Sequence, residues 1–369
     1  MAKIKSRYDL CQSCEEKSTL HIVLDLKDSN MNYEVGDCVG VYPVNDPTLV
    51  QKTLNALKAN ADESIVDKRS KNTFTLANFL KIKANVSDVS KKLIQEISKK
   101  QSCSRKKGEL EELLVTPDAL KKYLDGRQLW DILDEHHEVN FEIQEICDLL
   151  MPLLPRYYSI ASSQKHRQDE MHLTVKLLKY DAHGHERKGV CTHYLCSMVP
   201  QEEAIVPIFI QPHKGFTVPE DPNTHMIMVG PGTGVAPFRA FMQERIAQGA
   251  QGRHWLFFGE WRREKNFLYG DYWLELEKQE KLKLDVAFSR DQEQKKYVQH
   301  LLLEKGREIY DWLIEGSHFY VCGDAKYMAK DVDQALIQIV QNHGNMSEDA
   351  AKDYVKSLRK EKRYLRDVY

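Results

Sequence analysis

The stretch Met226-Ile-Met-Val-Gly-Pro-Gly-Thr-Gly-Val-Ala-Pro-Phe-Arg239 constrains this chain more than any other, because four apolar residues run into three glycines at alternate positions. A short apolar run closed by glycine reads as a buried strand. Pro237 stands where a following helix would make its first turn, a place that tolerates a residue without an N–H. Strand, glycine turn and helix form the repeating unit of a parallel α/β sheet, and the turn lets main-chain N–H groups at the positive end of a helix approach a pyrophosphate. The spacing departs from G-x-G-x-x-G, since Val235 stands where the third glycine of that pattern falls. Alone, the turn suits plain structure as well as it suits nucleotide binding.

The same texture recurs after Pro219-Glu-Asp-Pro222, with His254 to Phe258, Leu284 to Phe288 and His318 to Val321 as strands, each leading into a helix-compatible stretch. This predicts a doubly wound parallel sheet. Residues 3 to 44 read differently: His21 to Leu26 and Cys38 to Tyr42 are short strands separated by Asn, Gly and Asp, and Arg156 to Ile160, Met171 to Leu178 and Ile205 to Ile210 resume that pattern. Between them Pro47 can open a helix, Leu49, Leu54 and Leu57 recur at helical spacing, and further helical patterns fall near 76 to 82, 110 to 124 and 127 to 136. The expected architecture is an antiparallel β-barrel over 1–219, interrupted by a helical connecting insertion at about 46–150, then an α/β domain over 220–369. The basic run Lys99 to Lys107 reads as a solvated loop.

A length of 369 residues agrees with more than one domain, and a formal charge of -2 excludes a strongly basic nucleic-acid surface. No apolar run approaches the roughly 18 residues that span a bilayer, and the start, Met-Ala-Lys-Ile-Lys-Ser-Arg, lacks the apolar core of a signal peptide. A cytoplasmic protein with neither nucleic-acid nor membrane partners is expected. The 8 cysteines are scattered, which suits reduced thiols. Cys11 and Cys14 make a lone C-x-x-C with no second pair and no histidine at ligand spacing, so an incidental surface pair is expected and no metal.

Arg156-Tyr157-Tyr158-Ser159 offers what a flavin adenine dinucleotide needs: a guanidinium for a pyrophosphate, rings to cover a flat heterocycle, and a hydroxyl near a ring nitrogen. Ordinary barrel packing explains the same four residues. Gly189-Val190-Cys191-Thr192 precedes a helix-like Tyr194 to Met198, so Thr192 can cap that helix while main-chain N–H groups face an anion, or simply cap it. Ser289-Arg290, with Lys295 and Tyr297, follows a parallel strand where a nucleotide without a 2′-phosphate would ordinarily meet an acid, and so favours the phosphorylated cofactor. Cys322 ends another strand at the ligand-binding edge, where buried core is the plain alternative. The chain ends Arg366-Asp367-Val368-Tyr369, either a disordered tail or an aromatic that lies flat on a flavin.

In this order the motifs resemble the ferredoxin-NADP reductase superfamily and, within its diflavin branch, the sulfite reductase flavoproteins. Arg156 to Ser163 matches their Arg-x-Tyr-Ser-Ile-Ala-Ser-Ser, and Tyr320-Val-Cys-Gly-Asp-Ala325, Met328-Ala-Lys-Asp331 and the chain's end match as well. The resemblance implies an enzyme that takes a hydride from NADPH onto FAD and passes electrons to a separate acceptor, either a sulfite reductase haemoprotein or a flavodoxin-like protein. It implies FAD contacts at Arg156, Tyr157, Tyr158, Ser159, Thr174, Lys176, Gly189, Val190, Cys191 and Thr192, with Tyr369 on the isoalloxazine. NADPH contacts follow at Gly232, Thr233, Ser289, Arg290, Lys295, Tyr297 and Asp331, and Ser159, Cys322 and Asp367 surround the reacting atoms. Family members carry an FMN-binding flavodoxin domain ahead of this region, whereas few residues here precede the first strand. Thr217 stands where relatives often have Arg, and Lys296 replaces an apolar residue. A stand-alone reductase of flavodoxin or ferredoxin, or a non-catalytic nucleotide-binding docking subunit, are the alternatives.

Overall fold

Stretches of β-branched and aromatic residues cut by Gly, Asn and Asp set the strands, and the computed structural model describes them over residues 1–12, 17–27 and 29–369. In chain order they are β1 (Ala2–Asp9), β2 (Thr19–Asp25), β3 (Cys38–Val41), β4 (Ser64–Val66), β5 (Thr73–Thr75), β6 (Arg156–Ser159), β7 (Glu170–Lys176) and β8 (Lys179–Ala182). Then follow β9 (His185–Lys188), β10 (Ile205–Val206), β11 (Ile208–Gln211), β12 (Met226–Val229), β13 (His254–Glu260), β14 (Lys283–Phe288), β15 (His318–Gly323) and β16 (Tyr364–Val368). The chain divides into two compact units, one of Met1–Gly40, Tyr157–Lys176 and Pro200–Tyr369, the other of Val41–Arg156 and Leu177–Val199. Cys14 lies outside the described residues; Cys11 is buried, its sulfur 3.7 Å from the Asn266 amide nitrogen.

The first unit carries a four-stranded sheet ordered β10-β1-β2-β7 and a three-stranded one ordered β11-β3-β6. Adjacent strands β1, β2 and β7 pair antiparallel, and an isolated bridge joins Ile160 to Leu173. Its remaining sheet has five strands ordered β14-β13-β12-β15-β16, parallel throughout. Alternate residues of these strands serve two cores. Val229, Phe257 and Val321 pack with the helices Val298–Glu304, Gly306–Ile314, Met328–His343 and Glu348–Lys360. Met228, Phe258 and Tyr320 pack with Ala236–Ala247 and Gly270–Lys278. Burial on both faces is why these strands read as continuous apolar runs and not as alternating ones. The last residues, open to reading as a tail, form β16, which pairs with β15 in a register that sets Asp367 opposite Cys322.

A buried polar seam within this unit fixes the glycine turn and its helix against β7. Arg239 Nη1 donates to the Ala161 carbonyl at 2.6 Å and lies 3.1 Å from His172 Nδ1, while the guanidinium packs on the rings of Tyr269 and Tyr272. The Ser163 hydroxyl donates to Glu244 at 2.6 Å, and its N–H to the Gln243 side chain at 3.0 Å. Burial, with Arg239 nearby, holds the His21 imidazole down to about 3. Burial likewise holds His172 to about 4, so both rings are neutral at pH 7 and His172 Nδ1 accepts from Arg239 where a cation could not.

The second unit is helical. Asp46 accepts the Thr48 N–H at 2.8 Å and Pro47 fills the first turn of the helix Pro47–Leu57, the cap chemistry legible in Asn-Asp-Pro. Leu54, Leu80, Ile94, Ile97, Ile132 and Ile146 meet in its core. The basic run is not a loop: Lys99 and Lys100 end the helix Lys91–Lys100, and Arg105 to Lys107 begin the helix Ser104–Val115. Lysine is a good helix former, and the buried stripe Leu93, Ile94 and Ile97 supplies the packing that the charge count concealed. Arg187 on β9 is buried against Asp131 at 2.7 Å and Gln128 at 2.9 Å, which clasps the β8–β9 hairpin to the helix Leu129–Glu135. Among the described residues no helix is long and apolar enough to cross a membrane, and no group of three or more His, Cys, Asp or Glu could hold a metal ion.

Candidate functional site

β12 hands over to a single 3-10 turn at Gly232–Val235 and then to the helix Ala236–Ala247, with Pro237 in its first turn. Gly232 sits at φ +58, where a side chain is strained. A Cβ on Gly234 would lie 2.1 Å from the Cys322 carbonyl oxygen, so the turn runs directly against the end of β15. The glycine amides do not all gather on one anion. Gly230 N–H donates to the Phe257 carbonyl at 3.0 Å and Gly234 N–H to Pro231 at 3.1 Å, which leaves Gly232 and Thr233 as the turn's candidates.

The carboxyl ends of β12 to β15 open on a cleft of about 580 Å³, the edge at which open α/β sheets take their ligands. Gly232, Ser289, Arg290, Lys295, Tyr297 and Asp331 all line it, so six residues spread over 100 positions of sequence come to one place. Ser289 is buried, its hydroxyl 3.3 Å from the Glu260 carbonyl. Lys296 also lines the cleft but pairs with Glu304 at 2.7 Å, which tempers the charge it adds. Asp331 accepts from the Gln299 amide at 3.1 Å.

Three further lining residues escaped the sequence reading. Lys17 and Glu260 form a buried ion pair, and Trp261 lies beneath the Arg290 guanidinium at 3.6 Å from ring centroid to guanidinium carbon. Glu260 and Trp261 sit at the carboxyl end of β13, so the strand-end rule used for Ser289 and Cys322 would have found them. Lys17 is 243 positions from Glu260, and no local signal marks it.

A second cluster forms where β16 meets β15. Direct pairing in a parallel ladder puts Cys322 and Asp367 on one face, and one carboxylate oxygen of Asp367 receives the Ser159 hydroxyl at 2.9 Å and the Cys322 thiol at 3.7 Å. Burial, reinforced by the Asp367 charge, pushes the Cys322 thiol well above its usual range. The same two causes raise Cys38 to about 11. These sulfurs are neutral donors at physiological pH, not nucleophiles. Tyr369 continues the ladder, its N–H on Gly323 at 3.1 Å and its carbonyl accepting from Ala325 at 3.0 Å, and its hydroxyl meets Thr233 at 3.1 Å.

On the smaller sheets of the same unit, Tyr157 is 55% exposed and stands edge-on to Phe209, while Tyr158 is half-buried. Gly40 is needed beneath Phe209, since a Cβ there would fall 2.3 Å from the ring. Thr174 is buried with its hydroxyl 2.6 Å from that of Tyr269, whereas Lys176 is exposed. In the second unit Arg156 is exposed and donates to the Leu154 carbonyl at 3.1 Å. The turn there differs from expectation: the helix begins at Val190 with Gly189 as its cap, so Thr192 lies inside the first turn. Its hydroxyl accepts from Leu178 N–H at 3.2 Å and donates to the Gly189 carbonyl at 3.1 Å, stapling the hairpin instead of capping. Val190 is half-buried and Cys191 buried.

Comparison with known proteins agrees with this geometry. A family model described as "FAD binding domain" matches residues 1–194, and one described as "Oxidoreductase NAD-binding domain" matches residues 228–334. The chain is 40% identical over 371 residues to the sulfite reductase [NADPH] flavoprotein alpha-component of Bacillus subtilis, covering 100% of this chain and 60% of that protein. It is 41% identical over 358 residues to the protein of that name from Shewanella oneidensis, covering 96% and 58%. Over 355 residues it is 41% identical to one from Vibrio cholerae, covering 96% and 56%. The chain thus spans somewhat over half the length of these relatives. It belongs to the family of flavoproteins in which an FAD binding domain is joined to an oxidoreductase NAD-binding domain.

Proposed function

We propose that the chain holds FAD and NADPH and moves reducing equivalents from the nicotinamide to the flavin and on to a separate acceptor, in sulfite reduction. The observation that carries this reading is the convergence of Ser159 and Cys322 on one oxygen of Asp367, a hydroxyl and a thiol on one carboxylate at the sheet edge beside the glycine turn. When bound, FAD supplies a ring that accepts a hydride and can release electrons one at a time.

The residues fit both groups. In the cleft, the cations of Arg290 and Lys295, the buried Ser289 and the ring of Tyr297 suit the 2′-phosphoadenosine end of NADPH, with Gly232, Thr233 and Asp331 along the remainder. In the same unit Tyr157 and Tyr369 present rings 55% and 65% exposed, suited to cover a flat heterocycle, and Tyr158, Thr174 and Lys176 complete that unit's proposed FAD contacts. In the second unit the contacts proposed for FAD are Arg156 and the helix-opening turn Gly189, Val190, Cys191 and Thr192.

On this reading Ser159 holds a proton at a flavin nitrogen, Asp367 orients that hydroxyl and favours positive charge nearby, and the neutral Cys322 thiol packs against the nicotinamide. Tyr369 shields the flavin face and yields it to the incoming ring. The protein's part is alignment and electrostatics. We also read the four- and three-stranded sheets as one antiparallel barrel over 1–219, interrupted at about 46–150, and the five-stranded sheet as doubly wound over 220–369; helices against both faces of the five-stranded sheet support the latter. A cytoplasmic location and an acceptor such as a sulfite reductase haemoprotein or a flavodoxin-like protein belong to the same proposal.

The test is direct. Purified protein should be yellow, bleach with NADPH under anaerobic conditions, and regain colour quickly when mixed with one of those acceptors. Colourless protein that takes up no FAD would point instead to a docking subunit.

A further inference from the structure

We infer that Lys17 sets the affinity of the cleft for a phosphorylated nucleotide by neutralising Glu260. The inference rests on the NADPH reading above. Both residues line the cleft, and their side chains are 8% and 2% exposed, so the ion pair between them is shielded from water. Glu260 ends β13, and its Oε1 lies 3.3 Å from the point where a Cβ on Gly232 would fall. A carboxylate therefore sits against the turn proposed to meet the nucleotide's phosphates. Unpaired, that charge would repel them, and with little water around it the repulsion would be weakly screened.

The acid has a structural reason to be there. Glu260 Oε2 accepts the main-chain N–H of Trp261 at 2.8 Å, and the Glu260 carbonyl accepts the Ser289 N–H at 2.8 Å, so this residue joins the ends of β13 and β14. Its charge is met by a cation from the far end of the chain. The Gln12 N–H donates to the Lys265 carbonyl at 2.9 Å and the Ser18 hydroxyl to Asp9 at 2.6 Å, which ties down Gln12 and Ser18 near Lys17. Lys17 Nζ also lies 5.1 Å from the Trp261 ring centroid. Removing one half of a buried pair leaves the other uncompensated, so the chief effect of losing Lys17 is the charge left on Glu260. Lys17 acts through Glu260 and is a positioning residue, with no ligand contact required of it.

The experiment is titration calorimetry of NADP+ on the full chain loaded with FAD, in wild type, Lys17→Met, Glu260→Gln and the double variant. Lys17→Met should weaken binding by about tenfold or more, since a buried carboxylate is left beside the phosphates. Glu260→Gln keeps an oxygen for the Trp261 N–H and removes the charge, and should bind at least as tightly as wild type. The double variant should return to within about threefold of wild type, because without the carboxylate there is nothing for the lysine to neutralise. If Lys17→Met lowers the melting temperature, Lys17→Gln, which can still hydrogen-bond the carboxylate, replaces it with the same expected loss. Unchanged affinity in the lysine variant overturns the inference. So does a double variant as weak as the lysine variant, because a lysine that served the ligand directly, or only the fold, would leave that loss in place. Both results leave the NADPH reading standing, whereas a wild-type chain that binds no NADP+ overturns that reading and this inference with it.

Discussion

The hydroxyl of Tyr369, the last residue, lies 3.1 Å from the hydroxyl of Thr233 in the glycine turn, and two main-chain bonds, one donated to Gly323 and one accepted from Ala325, hold the same tyrosine in line with β15. The chain's end is thus placed by the sheet and not by its own side chain. Deleting Tyr369 should change the NADPH-to-NADH preference in kcat/KM and the rate of flavin reduction, since it removes the ring proposed to yield to nicotinamide. Thr233→Val, which removes one exposed hydroxyl contact, should change the melting temperature little. Steady-state kinetics with both nucleotides and a thermal melt decide this; unaltered preference after deletion removes the role assigned to Tyr369.

Arg290 and Lys295 line the cleft on the loop that follows β14. In the double variant Arg290→Ala, Lys295→Ala the KM for NADPH should rise by at least about tenfold, with a much smaller rise for NADH, because only the first ligand carries the extra phosphate. Equal rises for the two nucleotides would count against a 2′-phosphate site here.

Two glycines give opposite expectations for the same substitution. Gly234→Ala puts a methyl 2.1 Å from a main-chain oxygen that cannot rotate away, and should destabilise by about 1–3 kcal/mol or more. Gly108, inside the helix Ser104–Val115, has nothing within 4 Å of its added Cβ, so Gly108→Ala should stabilise by about 0.5–1 kcal/mol. Urea midpoints of both variants measure the contrast.

Acid should loosen the first unit well before its carboxylates titrate. Burial holds His21 to about 3, and His172, His254 and His318 to about 4, all below the ordinary 6.5. Between those values and 6.5 the unfolded chain binds more protons than the folded one, so stability is complete above about pH 6.5 and falls as pH drops toward 4. Each fully buried ring can contribute on the order of a few kcal/mol to that fall. Urea midpoints at pH 7.5 and pH 5 should differ accordingly, and His172→Gln should lessen the difference. A flat profile over that window would mean the imidazoles are not held neutral by burial.

Much of this is legible in the amino-acid sequence. The apolar tetrad at Met226, the strand ends at Ser289 and Cys322, and Asp46-Pro47 as a helix start each follow from a local rule of backbone chemistry, and the structure has these elements at those positions. What stayed hidden depends on distant pairing. β16 is short and half-exposed, so its alternation is faint, and only its register against β15 reveals that Asp367 faces Cys322. Thr192 has the residue type of a cap, but the Gly189–Leu178 bond that closes the hairpin starts the helix earlier. Lys17 pairs with Glu260 across most of the chain, and the helical Lys99 to Lys107 run was obscured by its charge.

The most direct measurement is single-turnover reduction of the FAD-loaded protein by NADPH, followed by loss of flavin colour in wild type, Ser159→Ala and Asp367→Asn. Because the Ser159–Asp367 contact is assigned to aligning the reacting rings and not to nucleotide affinity, the limiting rate should fall by roughly ten- to a hundredfold in each variant, with the half-saturating NADPH concentration nearly unchanged. Limiting rates equal to wild type in both variants would contradict the claim that these residues form the site of transfer.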